Sequence, residues 1–209
     1  MNVSARDIRY LGQMMVPQES EARVVRFPML GRLVSANVEP VSKRNLPFAP
    51  WIVRDVAAKR FGARPLRVGV TGVSRQPSVG ETIDGYRVTD PAAALRQQVP
   101  ELRKRADVVV VLAYVRADEA RALAKAVPGI DVMICAQDFL PGTVDNEWVE
   151  TTLIAPVIVQ TRWLTDVRVS QPSPGVRRFD ARRVLLDRVV PDDPETLKMV
   201  FGARNDFIR

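Results

Sequence analysis

Asp107-Val108-Val109-Val110-Val111-Leu112-Ala113-Tyr114 is the stretch on which the fold of this chain turns. Its consecutive valines favour extended backbone, and a strand with no polar alternation is built to be covered on both faces. The run is far shorter than the ~20 residues needed to cross a bilayer, so it predicts a buried strand and no membrane insertion. Downstream, a helix is predicted from Asp118 to Val127, with Ala122, Leu123 and Ala126 apolar. Pro128-Gly129 stops it, and Ile130 to Ala136 reads as the next strand. Upstream, Asp90-Pro91 opens a helix with an aspartate N-cap and a proline in the first turn. Leu95, Val99 and Leu102 form its apolar stripe, and Pro100 is expected to kink or split it. Before that helix, Leu66-Arg-Val-Gly-Val-Thr-Gly72 reads as a buried strand ending in a glycine turn, followed by a turn-rich region from Ser74 to Gly85. Strand, helix, strand, helix, strand is the signature of a mainly parallel sheet in an α/β fold.

The flanks differ in kind. Pro50 to Ala57 reads as a strand that turns through Lys59 to Pro65 into a hairpin with the strand at 66–72. After Pro141-Gly142 the pattern is all strand: Leu153 to Gln160, Trp163 to Ser170 and Val184 to Val190, with Gln171-Pro-Ser-Pro-Gly175 as a turn. These strands are expected beside or against the parallel core. Pro194-Glu195 starts a tail helix with Leu197 and Val200 docking, so the chain divides into a main unit at 1–190 and a tail at 191–209.

Composition narrows the chemistry. Among 209 residues there is no histidine and a single cysteine, Cys135, which excludes an internal disulfide, a thiolate zinc knuckle and a histidine-rich two-metal centre. Thirty-one Lys plus Arg against 24 Asp plus Glu give a net charge of +7. The basic residues are scattered in small groups (Lys43-Arg44, Lys59-Arg60, Arg103-Lys104-Arg105, Arg177-Arg178, Arg182-Arg183) without interleaved aromatics, which disfavours nucleic acid. Met1 to Asp7 is followed by no apolar stretch of the secretory kind, and the compartment stays unassigned.

Several segments taken together resemble a known family. Phe27-Pro-Met-Leu-Gly-Arg-Leu-Val-Ser-Ala-Asn-Val38, Leu66 to Gly72, Asp107 to Tyr114, Val127-Pro-Gly-Ile-Asp-Val-Met-Ile134 and Pro191-Asp-Asp-Pro-Glu195 resemble the latter half of the calcineurin-like metallophosphoesterase domain. The nearest branch is that of bacterial 5'-nucleotidases and 2',3'-cyclic phosphodiesterases, and the likeness runs over roughly residues 2–200. It implies an α/β metallophosphoesterase-like β-sandwich flanked by helices, in a reduced form whose first βα units, with the Asp-x-His and Gly-Asp-x-x-Asp motifs, would fall ahead of residue 1. It also implies a di-metal site at the C-terminal ends of the strands, in enzymes that usually work outside the cytoplasm.

The ligand positions that the resemblance points to are changed here. Ser4-Ala5-Arg6-Asp7 stands where Gly-Asn-His-Glu is expected, placing Ala5 for the asparagine ligand and Arg6 for the catalytic histidine. Tyr114 replaces a histidine after the 107–113 strand. In Cys135-Ala136-Gln137-Asp138-Phe139, Gln137 and Phe139 replace two more. These positions are expected to converge as a vestigial site, with Arg6, Tyr114 and Gln137 together at the C-terminal rim of the sheet. Tyr114, Phe139 and Trp51 are expected to fill the vacated pocket, while Asp7, Gln137 and Asp138 could bind one Mg²⁺ or Ca²⁺ only if they converge. No cofactor, no catalytic residue and no metal ligand set is assigned.

The remaining motifs read as structural. Gly69-Val-Thr-Gly72-Val-Ser74 matches a phosphate-cradling loop only weakly and is better read as a turn leaving the sheet. Asp118-Glu119 is a helix-capping arrangement. Cys135 and the serines at 74, 78, 170 and 173 lack a histidine base. The leading expectation is a non-catalytic 5'-nucleotidase-like domain with a structural, assembly or anion-binding role. One alternative is a phosphoric ester hydrolase with a remodelled arginine site (Arg6, Arg75, Arg116) taking a small phosphorylated ligand. The other is a nucleic-acid-binding module. A sandwich lacking strands leaves an apolar face, so a second copy or a partner subunit is expected, unless Met14-Met15-Val16 and Phe27 to Leu30 supply the cover.

Overall fold

The computed structural model describes residues 2–3, 7–8, 32–42, 48–57, 64–77, 80, 82–83, 85–136, 145–157, 163–173, 176–187 and 191–206. The centre is a six-stranded mixed sheet made of β2 (Trp51–Val56), β3 (Leu66–Ser74), β6 (Val108–Tyr114), β7 (Val132–Cys135), β9 (Thr152–Pro156) and β8 (Glu147–Val149), in that spatial order. β3, β6, β7 and β9 run parallel, with Val68 opposite Val108 and Val110 opposite Val132. β2 and β8 close the two edges antiparallel. The expected βαβ core and the 50–57/66–72 hairpin are both present.

Two helices, α1 (Pro91–Arg103) and α2 (Ala117–Ala126), cover one face. Asp90 caps α1, its carboxylate accepting the Ala93 N–H at 2.6 Å. Leu95 and Val99 of α1 and Leu123 of α2 bury against Val73, Val111, Ala113, Met133 and Ile154 of the sheet. Each fully buried aliphatic side chain of this cluster is worth about 2 kcal/mol in removal from water. Pro100 does not split α1, which runs without a break to Arg103. The proline lies in the last turn, where little helix remains to be disturbed.

Gly69 and Gly72 form neither a cradle nor an exit turn, because β3 continues through both to Ser74. Glycine is required at 69 by close packing: a Cβ there would stand 2.6 Å from Cδ1 of Leu102 and 2.8 Å from Cβ of Ala106. At 72 a Cβ would collide with the Asn2 side chain. Trp51 fills no pocket at the strand ends. It packs with Val53 against Leu102, Ala106 and Val109 near the end of α1, with the Arg105 guanidinium 5.3 Å from its ring centroid.

On the second face of the central sheet lies a two-stranded ribbon of β10 (Trp163–Ser173) and β11 (Val176–Leu185). Phe179 meets Trp148 edge-on at 6.4 Å, Asn146 donates to the Ala181 carbonyl at 3.1 Å, and Thr165 donates to the Pro156 carbonyl at 3.1 Å. β11 starts at Val176, eight residues before the expected strand at Val184, and β10 extends three residues past Ser170. The ribbon leaves Ile52, Val70, Val110, Leu112 and Ile134, neighbours on that face by register, only half-buried.

A small sheet of β1 (Val38–Pro40), β5 (Tyr86–Val88) and β4 (Thr82–Ile83) packs Val38, Tyr86 and Val88 with Val3, Ile8, Leu33 and Phe48. The tail helix α3 (Pro194–Asp206) forms where expected, but Leu197 is not docked: it is exposed, as are Met199 and Phe201. No helix among the described residues is long and apolar enough to cross a membrane.

Candidate functional site

The candidate site is the rim formed by the C-terminal ends of β3 and β6. β2 pairs with β3 only as far as Thr71, so the last three residues of β3 have an open flank. Side chains and backbone from distant parts of the chain fill it. Asn37 donates to the carbonyls of Ser74 at 2.7 Å and Thr89 at 2.8 Å and accepts the Ser74 N–H at 2.9 Å. Asn2 donates to the Val73 carbonyl at 2.7 Å, Ser74 Oγ donates to the Val3 carbonyl at 2.9 Å, and the Ala36 N–H donates to the Gly72 carbonyl at 2.7 Å. Asn37 and Ser74 are buried, and such polar groups persist inside a fold only when bonded. Sequence reasoning passed over both Asn2 and Asn37. For Asn37 the available signal was an asparagine set in the mostly apolar Leu33-Val-Ser-Ala-Asn-Val38.

Ser74 lies opposite Tyr114 across the parallel ladder, and the Arg75 N–H donates to the Tyr114 carbonyl at 2.9 Å. Asn2, Val3, Ser74, Arg75, Tyr114 and Arg116 are therefore neighbours on one rim. Tyr114 itself is half-buried. Beyond it the chain turns into α2 through a capping arrangement in which Glu119 accepts the Arg116 N–H at 2.8 Å. The same carboxylate pairs with Arg75 at 3.0 Å, while Asp118 pairs with Arg116 at 3.3 Å. Of the three candidate anion-binding arginines, the two that are described, Arg75 and Arg116, thus each carry an acidic partner. Asp7 is half-buried and has helical backbone. Ala5, Arg6, Gln137, Asp138 and Phe139 lie outside the described residues, as do Met14 to Val16 and Phe27 to Leu30, so the expected meeting of Arg6, Tyr114 and Gln137 is not placed.

Cys135 is fully buried in β7, and burial, helped by the nearby Glu147 carboxylate, pushes its thiol up to about 12. That thiol is neither a nucleophile nor a thiolate ligand at neutral pH.

At the opposite, N-terminal end of the parallel strands, two carboxylates collect arginines. Asp107 accepts the Arg67 N–H at 3.0 Å and pairs with Arg64 at 2.8 Å and Arg177 at 3.8 Å. Asp131 pairs with Arg103 at 2.5 Å and accepts the Val109 N–H at 2.7 Å. These guanidiniums fasten strand starts to one another and do not form an unmatched basic stripe.

No protein-family model matches the sequence, and no curated protein matches it. The fold has clear counterparts among solved structures. A 5'-nucleotidase precursor of Thermus thermophilus superimposes with a TM-score of 0.68 at 18% identity, covering 100% of this chain and 43% of that one. A putative 5'-nucleotidase of Staphylococcus aureus gives 0.67 at 15% identity over 98% of this chain and 41% of that one. The sulfate thiohydrolase SoxB of Thermus thermophilus gives 0.65 at 20% identity over 87% and 33%. The chain has the calcineurin-like metallophosphoesterase fold and spans less than half the length of these enzymes.

That fold implies a metal pair at the strand ends, and the described residues do not suit one. The sequence offers no imidazole, the one thiol is held protonated, and no three cysteine or carboxylate side chains gather among the described residues.

Proposed function

We propose that this chain is a non-catalytic 5'-nucleotidase-like domain whose role is assembly with another polypeptide. The observation that carries the reading is the chemistry of the rim. The chain has no histidine, and Tyr114 stands at the position that the resemblance assigns to a metal-binding histidine, where a phenol is a poor substitute ligand. Two-metal hydrolysis needs a full set of ligands holding two cations about 4 Å apart.

A remodelled phosphoesterase would need Arg75 and Arg116 to receive the charge that develops on the ester. Glu119 and Asp118 already partner them, and these carboxylates would repel the same anion. The rim therefore favours the non-catalytic reading over the remodelled enzyme. Nucleic acid is disfavoured on similar grounds: Arg64, Arg67 and Arg177 gather on Asp107, and Arg168 and Arg182 on Asp166. Assembly draws its support from the sheet face on which Ile52, Val70, Val110, Leu112 and Ile134 are only half-buried, apolar surface that a partner would cover further.

The test has two arms. After stripping with chelator and reloading with Mn²⁺ or Zn²⁺, the chain is assayed against AMP and against phosphate mono- and diester chromogens. No saturable turnover is expected, and turnover that disappears in Arg116→Ala would overturn the non-catalytic reading. Light scattering is expected to give a mass above 23.3 kDa or to show capture of a partner. A clean 23.3 kDa species that binds no apolar dye would remove the assembly role.

A further inference from the structure

We propose that the tail helix α3 of one chain seats in the cavity between α1 and α2 of a second copy, in a reciprocal exchange. The inference rests on the assembly reading above and names the partner as another copy of this chain.

The chain presents both halves of such a contact. Every described side chain of α3 is exposed, Leu197 at 36% and Phe201 at 57%. A helix of 13 residues is marginal in water when it buries no apolar face, so α3 needs a dock. Leu197 and Phe201 stand four positions apart on one side of the helix, and Lys198, three positions before Phe201, lies beside them.

The cavity measures about 320 Å³, room for an aromatic ring and an aliphatic side chain one helical turn away. Ala92, Val115, Ala122, Leu123 and Ala126 make most of its lining apolar. Of the charges in that lining, Arg75 and Glu119 answer each other at 3.0 Å, which leaves Asp90. Asp90 spends one oxygen on the Ala93 N–H at 2.6 Å, and its other oxygen is an acceptor. Such a lining suits an apolar group bordered by one cation. Leu197, Phe201 and Lys198 supply that combination from one side of a helix. Two-fold exchange fills both cavities and seats both helices, whereas one-way seating would build an open chain of copies.

The test is sedimentation equilibrium of the full chain, which is expected to give a dimer of twice 23.3 kDa. Phe201→Ser removes the ring from the helix, and Ala122→Phe fills the cavity. Both positions are exposed, and each change is expected to weaken the dimer at least about tenfold. An equal mixture of these two variants is expected to associate more tightly than either alone. The intact helix of the Ala122→Phe chain then meets the intact cavity of the Phe201→Ser chain. Asp90→Asn keeps the helix cap, because asparagine caps as well as aspartate, and removes the charge. It and Lys198→Gln are each expected to weaken the dimer by about threefold, and the double variant no further.

A parent chain that stays at 23.3 kDa overturns this inference, and capture of a different protein would leave assembly standing without it. A parent dimer untouched by Phe201→Ser and Ala122→Phe overturns it as well and moves self-association to another face. A mixture that associates no better than its components overturns the exchange.

Discussion

Asn37 and Ser74 bond to each other twice: the asparagine amide donates to the Ser74 carbonyl at 2.7 Å, and its oxygen accepts the Ser74 N–H at 2.9 Å. One side chain thereby does for the end of β3 what a neighbouring strand does for the rest of it. It also reaches the Thr89 carbonyl at 2.8 Å, so the loop leading into α1 is fixed to the same point.

Replacing Asn37 by alanine would take this partner from two buried backbone groups of Ser74 and from the part-buried Thr89 carbonyl. The expected loss is about 3 kcal/mol, measured by urea unfolding. Asn37→Asp would be at least as harmful, because it keeps the acceptor and faces two carbonyls with a carboxylate. A loss below about 1 kcal/mol in both variants would mean that water replaces the network and that the rim is not rigid.

Gly69→Ala places a methyl group into Leu102 and Ala106, and neither neighbour is the free end of an exposed chain. Overpacking of this kind typically costs about 1–3 kcal/mol. Because the clash is with Leu102, pairing the change with Leu102→Ala should be strongly non-additive, with the double variant more stable than the sum of the single losses predicts. Additive losses would place the strain elsewhere on β3.

These two sites show where the sequence was legible and where it was not. β6, the Asp90 cap and the Glu119 capping arrangement could be read because each depends on residues within a few positions of one another. The glycines of β3 misled because their reason lies in Leu102 and Asn2, far along the chain. β11 hid its first eight residues behind Arg177, Arg178, Asp180, Arg182 and Arg183: its inward positions hold arginines as well as Phe179 and Ala181, so strand alternation did not show as apolar and polar. The rim was only half legible for the same reason as the glycines. Tyr114 ends a readable strand and Arg116 follows it, whereas Asn2 and Asn37 reach β3 across 71 and 37 positions.

Asp107 gives a prediction with a pH signature. The Arg67 N–H, then the Arg67 and Arg64 guanidiniums, hold its carboxyl below the ordinary range against the opposing effect of burial. A carboxylate depressed in the folded state contributes stability that is present above its unfolded pKa of about 3.9 and is lost as pH falls through the lower folded value. Asp107→Asn should therefore lower stability by about 2 kcal/mol at neutral pH and flatten its fall below about pH 4. Chemical unfolding at a series of pH values checks both. Parallel curves for the two proteins would show that the arginines around Asp107 contribute nothing through its charge.

Cys135 behaves in the opposite sense, at the alkaline end. Its thiol is pushed up to about 12 in the folded chain by burial, whereas an unfolded cysteine ionises near 8.5. Above that lower value the unfolded state releases a proton that the folded state keeps, so stability is full below about pH 8.5 and declines as pH rises toward 12. The limiting slope is about 1.4 kcal/mol per pH unit for one such group. Cys135→Ala removes the titration while opening a small cavity, so it should be less stable at pH 7 yet lose less between about pH 9 and pH 10.5. The thiol should also resist a disulfide reagent until the chain unfolds, since the reacting species is the thiolate and no solvent reaches the sulfur. Rapid labelling of the folded protein, or identical alkaline slopes for parent and variant, would show that β7 opens locally and that the core between the sheet and its helices is looser than its packing implies.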